Sequence, residues 1–141
     1  MPSLSFRKCW KPKILSGEKR QTIRVKGKRV YKPGDTLHLF TGMRTKSCER
    51  LGRARCIGVA DIRYEGPERW RFLGQTGKPT FALAWCRRGR LLDLQRLRDL
   101  AVTDGFDGIA SLERWFAKCP PGTALSVISW RSLVDEKGDP A

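Results

Sequence analysis

Strand-length runs of alternating apolar and polar residues recur along the first half of this chain, and they make a sheet its framework. Leu4-Ser5-Phe6 can open such a sheet. Residues 21–25 read as a strand, and so does Thr36 to Thr41, with Leu37 and Leu39 on one face and His38 and Phe40 on the other. Arg55 to Tyr64 alternates again, setting Cys56, Gly58 and Ala60 against Ile57, Val59 and Asp61. Later the period changes. Leu91, Leu92, Leu94, Leu97, Leu100 and Ala101 predict a helix over 91–101 that buries a leucine stripe. Ser111 is placed to cap a second helix carrying Leu112, Trp115 and Phe116, which Cys119-Pro120-Pro121-Gly122 ends. Ala124 to Trp130 then reads as an apolar closing strand.

The connections follow from turn chemistry. Pro12 suits the first turn of a short helix over 12–16, and Gly17 suits its left-handed end. Lys32-Pro33-Gly34-Asp35 is a turn. Gly42 to Arg53 reads as a long basic loop. Residues 66–90 are rich in turns, with Trp70, Phe72, Phe81, Leu83 and Trp85 marking strand pieces or an insertion. The order is therefore strand, short helix, several strands, two helices and a last strand. It predicts an α+β fold, a small β-barrel with helices packed on one side, as one domain over 1–134 followed by a polar tail over 135–141. Both Trp115 and Trp130 lie in apolar segments and are expected in the core.

Charge narrows the partners. The formal net charge is +15, and residues 1–55 hold 16 Lys and Arg against Glu18, Asp35 and Glu49, a net of +13. Such a field attracts polyanions, so nucleic acid is the leading partner class. A membrane surface is the weaker alternative, because no basic amphipathic helix accompanies the charge. No apolar run reaches the roughly 18–20 residues of a membrane span, and Met1 to Trp10 lacks the apolar stretch of a secretory signal. Five spread cysteines without a Cys-x-x-Cys pair, and a single histidine, His38, favour reduced thiols in small core positions of a cytoplasmic protein. They predict no metal site, and nothing calls for a cofactor.

Within the basic region lies Gly17-Glu18-Lys19-Arg20-Gln21-Thr22-Ile23-Arg24. On a strand over 21–25, Thr22 and Arg24 share a face, and Lys19 sits in the turn before them. One hydroxyl and two cations can then converge on an anionic or nucleotide-like ligand. Lys26, Lys28, Arg29, Arg44, Lys46 and Arg50 extend the basic set, and Tyr31 or an exposed Trp can stack on bases. Each of these cations taken singly suits a solvated surface; as a set they favour binding.

Several segments in order resemble the ASCH domain family of the PUA-like superfamily. They are Ile14-Leu15-Ser16-Gly17-x-Lys19-x-x-Thr22-x-Arg24, Pro33-Gly34-Asp35-Thr36-Leu37, Asp104-Gly105-Phe106, Leu112-Glu113-x-Trp115-Phe116 and Val127-Ile128-Ser129-Trp130. The resemblance implies a PUA-like barrel with a cleft for RNA or a nucleoside. Some ASCH proteins are amidohydrolases that deacetylate N4-acetylcytidine. Carried over by motif, their catalytic positions fall on Lys19, Thr22 and Asp104, the last standing where the family typically has Glu.

In that chemistry a neutral Lys19 deprotonates Thr22, which attacks the acyl carbonyl. Asp104 activates water or relays protons, and Arg24 orients substrate or stabilises the oxyanion. Arg20, Arg24 and Lys26 are expected to lower the Lys19 pKa, together with partial burial. Two other readings stand beside it: a non-catalytic RNA-binding module, and a ribonuclease acting on single-stranded RNA, which would have to work without a His pair.

Overall fold

The computed structural model describes residues 3–78, 83, 86–131 and 133. Six strands form a mixed sheet: β1 (Ser3–Phe6), β2 (Gln21–Val25), β3 (Thr36–Thr41), β4 (Glu49–Tyr64), β5 (Trp70–Gly77) and β6 (Thr123–Trp130). Their order is β1-β3-β4-β6-β2, with β5 pairing to β4 off this path. All pairs are antiparallel except β1 with β3. Helices α1 (Lys11–Ser16), α2 (Leu94–Thr103) and α3 (Ile109–Phe116) complete a small α+β domain, a curled half-barrel with helices to one side.

Strand β4 does the curling. Along its 16 residues three register shifts each leave one residue unpaired: Leu51 opposite β3, Ile57 opposite β6, and Leu73 of β5 opposite β4. An unpaired residue bends its strand and increases the local twist, which turns a long strand into the spine of a half-barrel. The bulge at Leu51 also explains why the strand starts earlier than its sequence suggests. Residues 49–53 belong to β4 rather than to a loop, because the alternation of Leu51 with Arg53 and Ala54 is shifted by one residue at the bulge. Only 42–48 remains a connection.

The core lies between the concave sheet and the helices. Leu97, Leu100 and Ala101 of α2 and Leu112 and Phe116 of α3 are buried in one core cluster with Ile62, Tyr64 and Trp70 of the sheet. Trp70 meets Tyr64 and Phe116 edge-on, with centroids 5.0 and 5.4 Å away. Its indole N–H donates to Glu113 Oε1 at 2.9 Å, so the ring is buried without leaving its donor unpaired.

Several expectations change. Helix α2 begins at Leu94 because Asp93 caps it, accepting from the Arg96 N–H at 2.8 Å. Leu91 instead bridges to Arg71, and Leu94 faces solvent, so the buried stripe is narrower than the run of leucines implies. Gly108, not Ser111, precedes α3, and Ser111 lies inside the helix. Trp115 is 41% exposed, unlike Trp130. Of the cysteines only Cys56 is fully buried; Cys9 and Cys48 are exposed. Trp70 to Gly77 forms one strand, while Phe81, Trp85 and the 135–141 tail lie outside the described residues. Among the described residues no helix is long and apolar enough to cross a membrane.

Two glycines near the site separate backbone strain from steric contact. Gly17 ends α1 at φ +85° with open space around a would-be Cβ. Gly105 has φ +101°, and a Cβ there would lie 2.8 Å from the Trp10 ring. Gly17→Ala is expected to cost about 1–2 kcal/mol, the left-handed penalty alone. Gly105→Ala is expected to cost about 2–4 kcal/mol because the indole must also move. Urea unfolding of the two variants measures the difference, and equal losses would contradict the contact.

Candidate functional site

The half-barrel has an open seam. Edge strands β1 and β2 end the strand order and, among the described residues, do not pair with each other. Side chains span the gap instead. Arg24 on β2 donates from Nη2 to the Ser5 carbonyl of β1 at 2.6 Å, and Arg29 reaches the Ser3 carbonyl at 3.4 Å. These are alternate carbonyls of an edge strand, which would otherwise be unpaired. The Arg24 guanidinium also lies over the Phe6 ring, 4.8 Å from its centroid.

A cavity of about 230 Å³ opens at this seam. Its polar wall comprises Ser5, Arg7, Lys19, Thr22, Arg24 and Asp104. Its apolar wall is Phe6, Trp10, Phe106, Trp115 and Phe116. Each polar group is delivered by a distinct local cause. Gly17 turns the chain out of α1, and the Lys19 N–H bonds back to the Lys13 carbonyl at 3.0 Å, which aims Lys19 inward. Thr22 and Arg24 share a strand face, as their spacing predicts. Asp104 is the C-cap residue of α2, its N–H bonded to the Leu100 carbonyl at 3.0 Å.

Lys19 is the least expected of these groups in its setting, with only 2% of its surface exposed. Its ammonium donates to the Asp104 carbonyl oxygen at 2.7 Å and to Oδ2 at 3.1 Å. It sits 4.6 Å from the Trp10 ring centroid and 5.7 Å from that of Phe6. The other carboxylate oxygen, Oδ1, accepts from Gln21 Nε2 at 3.2 Å, and Gln21 also donates to the Leu100 carbonyl. Asp104 is thus gripped on both oxygens.

Burial drives both partners toward neutrality. The Lys19 pKa is lowered, chiefly by desolvation and to a lesser degree by Arg24, while Asp104 opposes the shift. Of the three neighbouring cations expected to lower it, Arg24 is the one that stands among the main causes, and Arg20 and Lys26 do not. The Asp104 carboxyl is pushed up to about 6, again chiefly by burial, with Lys19, Gln21 and Arg24 pulling the other way. Two of the three ammonium hydrogens of Lys19 are committed to Asp104. Loss of the third would leave a lone pair without breaking either bond.

Thr22, 4% exposed, accepts from Arg24 Nε at 3.1 Å. A hydroxyl that accepts from a guanidinium keeps its own hydrogen free to donate, and its alkoxide is favoured by the adjacent charge. Arg24 therefore holds Thr22 and the seam.

The remaining basic residues do not join this cavity. Lys26, Arg29 and Tyr31, with Lys32, line a second cavity of about 580 Å³ on the loop after β2, where Lys26 pairs with Asp61 at 3.3 Å. Lys28 is exposed. Arg44 and Lys46 lie in the exposed 42–48 connection, and Arg50 Nη2 approaches His38 Nδ1 at 2.8 Å. The N-terminal charge is thus spread over several separate places. Sequence reasoning passed over Gln21, whose side chain faces opposite to Thr22, and the aromatic wall, which comes from four separate segments. No protein-family model matches the chain, and neither does any curated protein or solved structure.

A buried ion pair is weak as a stabiliser, because desolvation cancels much of its attraction. Lys19→Met alone is expected to cost about 3–5 kcal/mol, since it abandons a buried carboxyl. Lys19→Met with Asp104→Asn is expected to return to within about 2 kcal/mol of the native protein. Chemical denaturation of the three proteins checks this; a double variant as unstable as the single one would contradict it.

Proposed function

We propose that this half-barrel is an ASCH-type, PUA-like domain that hydrolyses the acyl group from an N4-acylated cytidine. The observation that carries the proposal is the buried Lys19–Asp104 pair, which opens onto the same cavity as a Thr22 hydroxyl held by Arg24. A protein has little energetic reason to keep a lysine in such a place, and strongly displaced titrations gather where proton transfer is needed.

The steps balance with these residues alone. Neutral Lys19 Nζ takes the Thr22 proton as Oγ1 bonds to the acyl carbon. The C–N4 bond then breaks, and Lys19 returns that proton to the leaving amine. Water attacks the acyl-threonine, giving its proton to the Lys19–Asp104 pair. The C–Oγ1 bond breaks, Thr22 recovers a proton, and the carboxylic acid departs. Asp104 works through Lys19, holding the amine in place and sharing its proton. Arg24 favours the threonine alkoxide rather than gripping the substrate. At about 230 Å³ the cavity suits a pyrimidine with its acyl group, being smaller than the roughly 300–1,000 Å³ of sites that enclose drug-sized ligands.

The charge distribution favours a second reading, a non-catalytic RNA-binding module. It requires salt-sensitive RNA binding without turnover.

Incubation with N4-acetylcytidine, following cytidine release, decides between them. Turnover is expected, falling at least about 100-fold in Thr22→Val and Lys19→Met. Because neutral Lys19 and ionised Asp104 form the active pair, kcat/KM should rise with pH through about 6 and continue upward toward the lowered Lys19 pKa. Asp104→Asn should remove the limb near 6. Absence of turnover by the native protein, or undiminished turnover by Thr22→Val, would overturn the amidohydrolase reading.

A further inference from the structure

Next to the seam cavity lies a larger one of about 470 Å³, and the two share Arg7, Trp10, Phe106 and Trp115 as a common wall. The outer cavity adds Arg114 and Lys118 from α3 and the segment that follows it. Three cations therefore face one space, and no carboxylate lines it. Among the described residues none of the three forms an ion pair. Arg114 and Lys118 belong to the second half of the chain, where basic and acidic residues largely balance, so two cations beside no carboxylate are a local departure there.

The wall between the cavities is aromatic and partly open. Trp10, Phe106 and Trp115 meet edge-on with centroids 5.1–5.7 Å apart. Arg7 lies 4.9 Å over the exposed Trp115 ring. An indole with a guanidinium on its face offers stacking for a sugar or base and a cation for what is attached to it.

We propose that this outer cavity is a phosphate subsite, so that the preferred substrate is a phosphorylated nucleotide, free or within an RNA strand, rather than a neutral nucleoside. The inference rests on the N4-acylcytidine reading of the inner cavity. That cavity has room for the base and acyl group, which leaves the ribose and its phosphate to cross the Trp10–Trp115 wall toward Arg7, Arg114 and Lys118. An anion there meets cations that have no competing carboxylate, and charge-assisted contacts of this kind favour it over a neutral ligand.

The test compares kcat/KM for N4-acetylcytidine, its 5′- and 3′-monophosphates, and a trinucleotide carrying the acetylated base at its centre. At least one phosphorylated form should exceed the nucleoside by about 10–100-fold at low salt. In the double variant Arg114→Gln/Lys118→Gln this ratio should fall toward one. A gain with a monophosphate identifies a free nucleotide as the source, and a gain confined to the trinucleotide identifies a strand phosphodiester. Equal kcat/KM for all four substrates would overturn the subsite while leaving deacylation standing. Should nothing turn over, calorimetric titration with the same four compounds still decides. Tighter binding of a phosphorylated form, lost in the double variant, supports the subsite. Equal binding by the native protein, or a preference that survives the double substitution, overturns it.

Discussion

An ammonium and a carboxylate meet inside this protein 3.1 Å apart, nearly sealed from water, and the geometry around them follows from holding them there. Lys19 arrives from the turn after α1 and Asp104 from the end of α2, so the pair ties the sheet edge to the helical layer. Gln21 takes the second carboxylate oxygen, Trp10 and Phe6 cover the amine, and Gly105 lets the indole close over the site. Removing both charges together would disturb folding less than removing one. Such an arrangement is costly to build and of modest value to stability.

Its position depends on an incomplete barrel. Three bulges curl the sheet around β4, yet β1 and β2 remain unpaired with one another, and Arg24 bridges them. That leaves space at the seam for a cavity and fixes Thr22 at its rim through the same guanidinium. One arginine thereby closes a sheet edge and orients a hydroxyl.

Local chemistry was legible in the sequence; convergence was less so. Residues 36–41 alternate cleanly, glycine is the residue type best suited to the left-handed turn at Gly17, and both features appear where the pattern places them. The start of β4 was hidden because the bulge at Leu51 shifts the alternation that reveals strands. Trp115 sits at core spacing in an apolar segment yet lies at a cavity mouth, since hydrophobicity does not distinguish a packed indole from a stacking surface. The motif put Lys19, Thr22 and Asp104 together, and all three line one cavity. The basic residues form one set in the sequence but not in the fold, because nearness along the chain is not nearness in space. Folding sends Lys26 toward Asp61 and Arg50 toward His38, while Arg114 and Lys118, far along the chain, come to stand beside Arg7.

Burial lowers the Lys19 pKa toward the range in which its amine is neutral. A pH titration of the Lys19 side chain by NMR, followed at its terminal carbon and nitrogen, reads this directly. The midpoint is expected clearly below the ordinary lysine value of 10.5, with a smaller perturbation near 6 as Asp104 ionises. A midpoint at or above 10.5 would mean that the pair is a permanent ion pair, and Lys19 could not serve as the base.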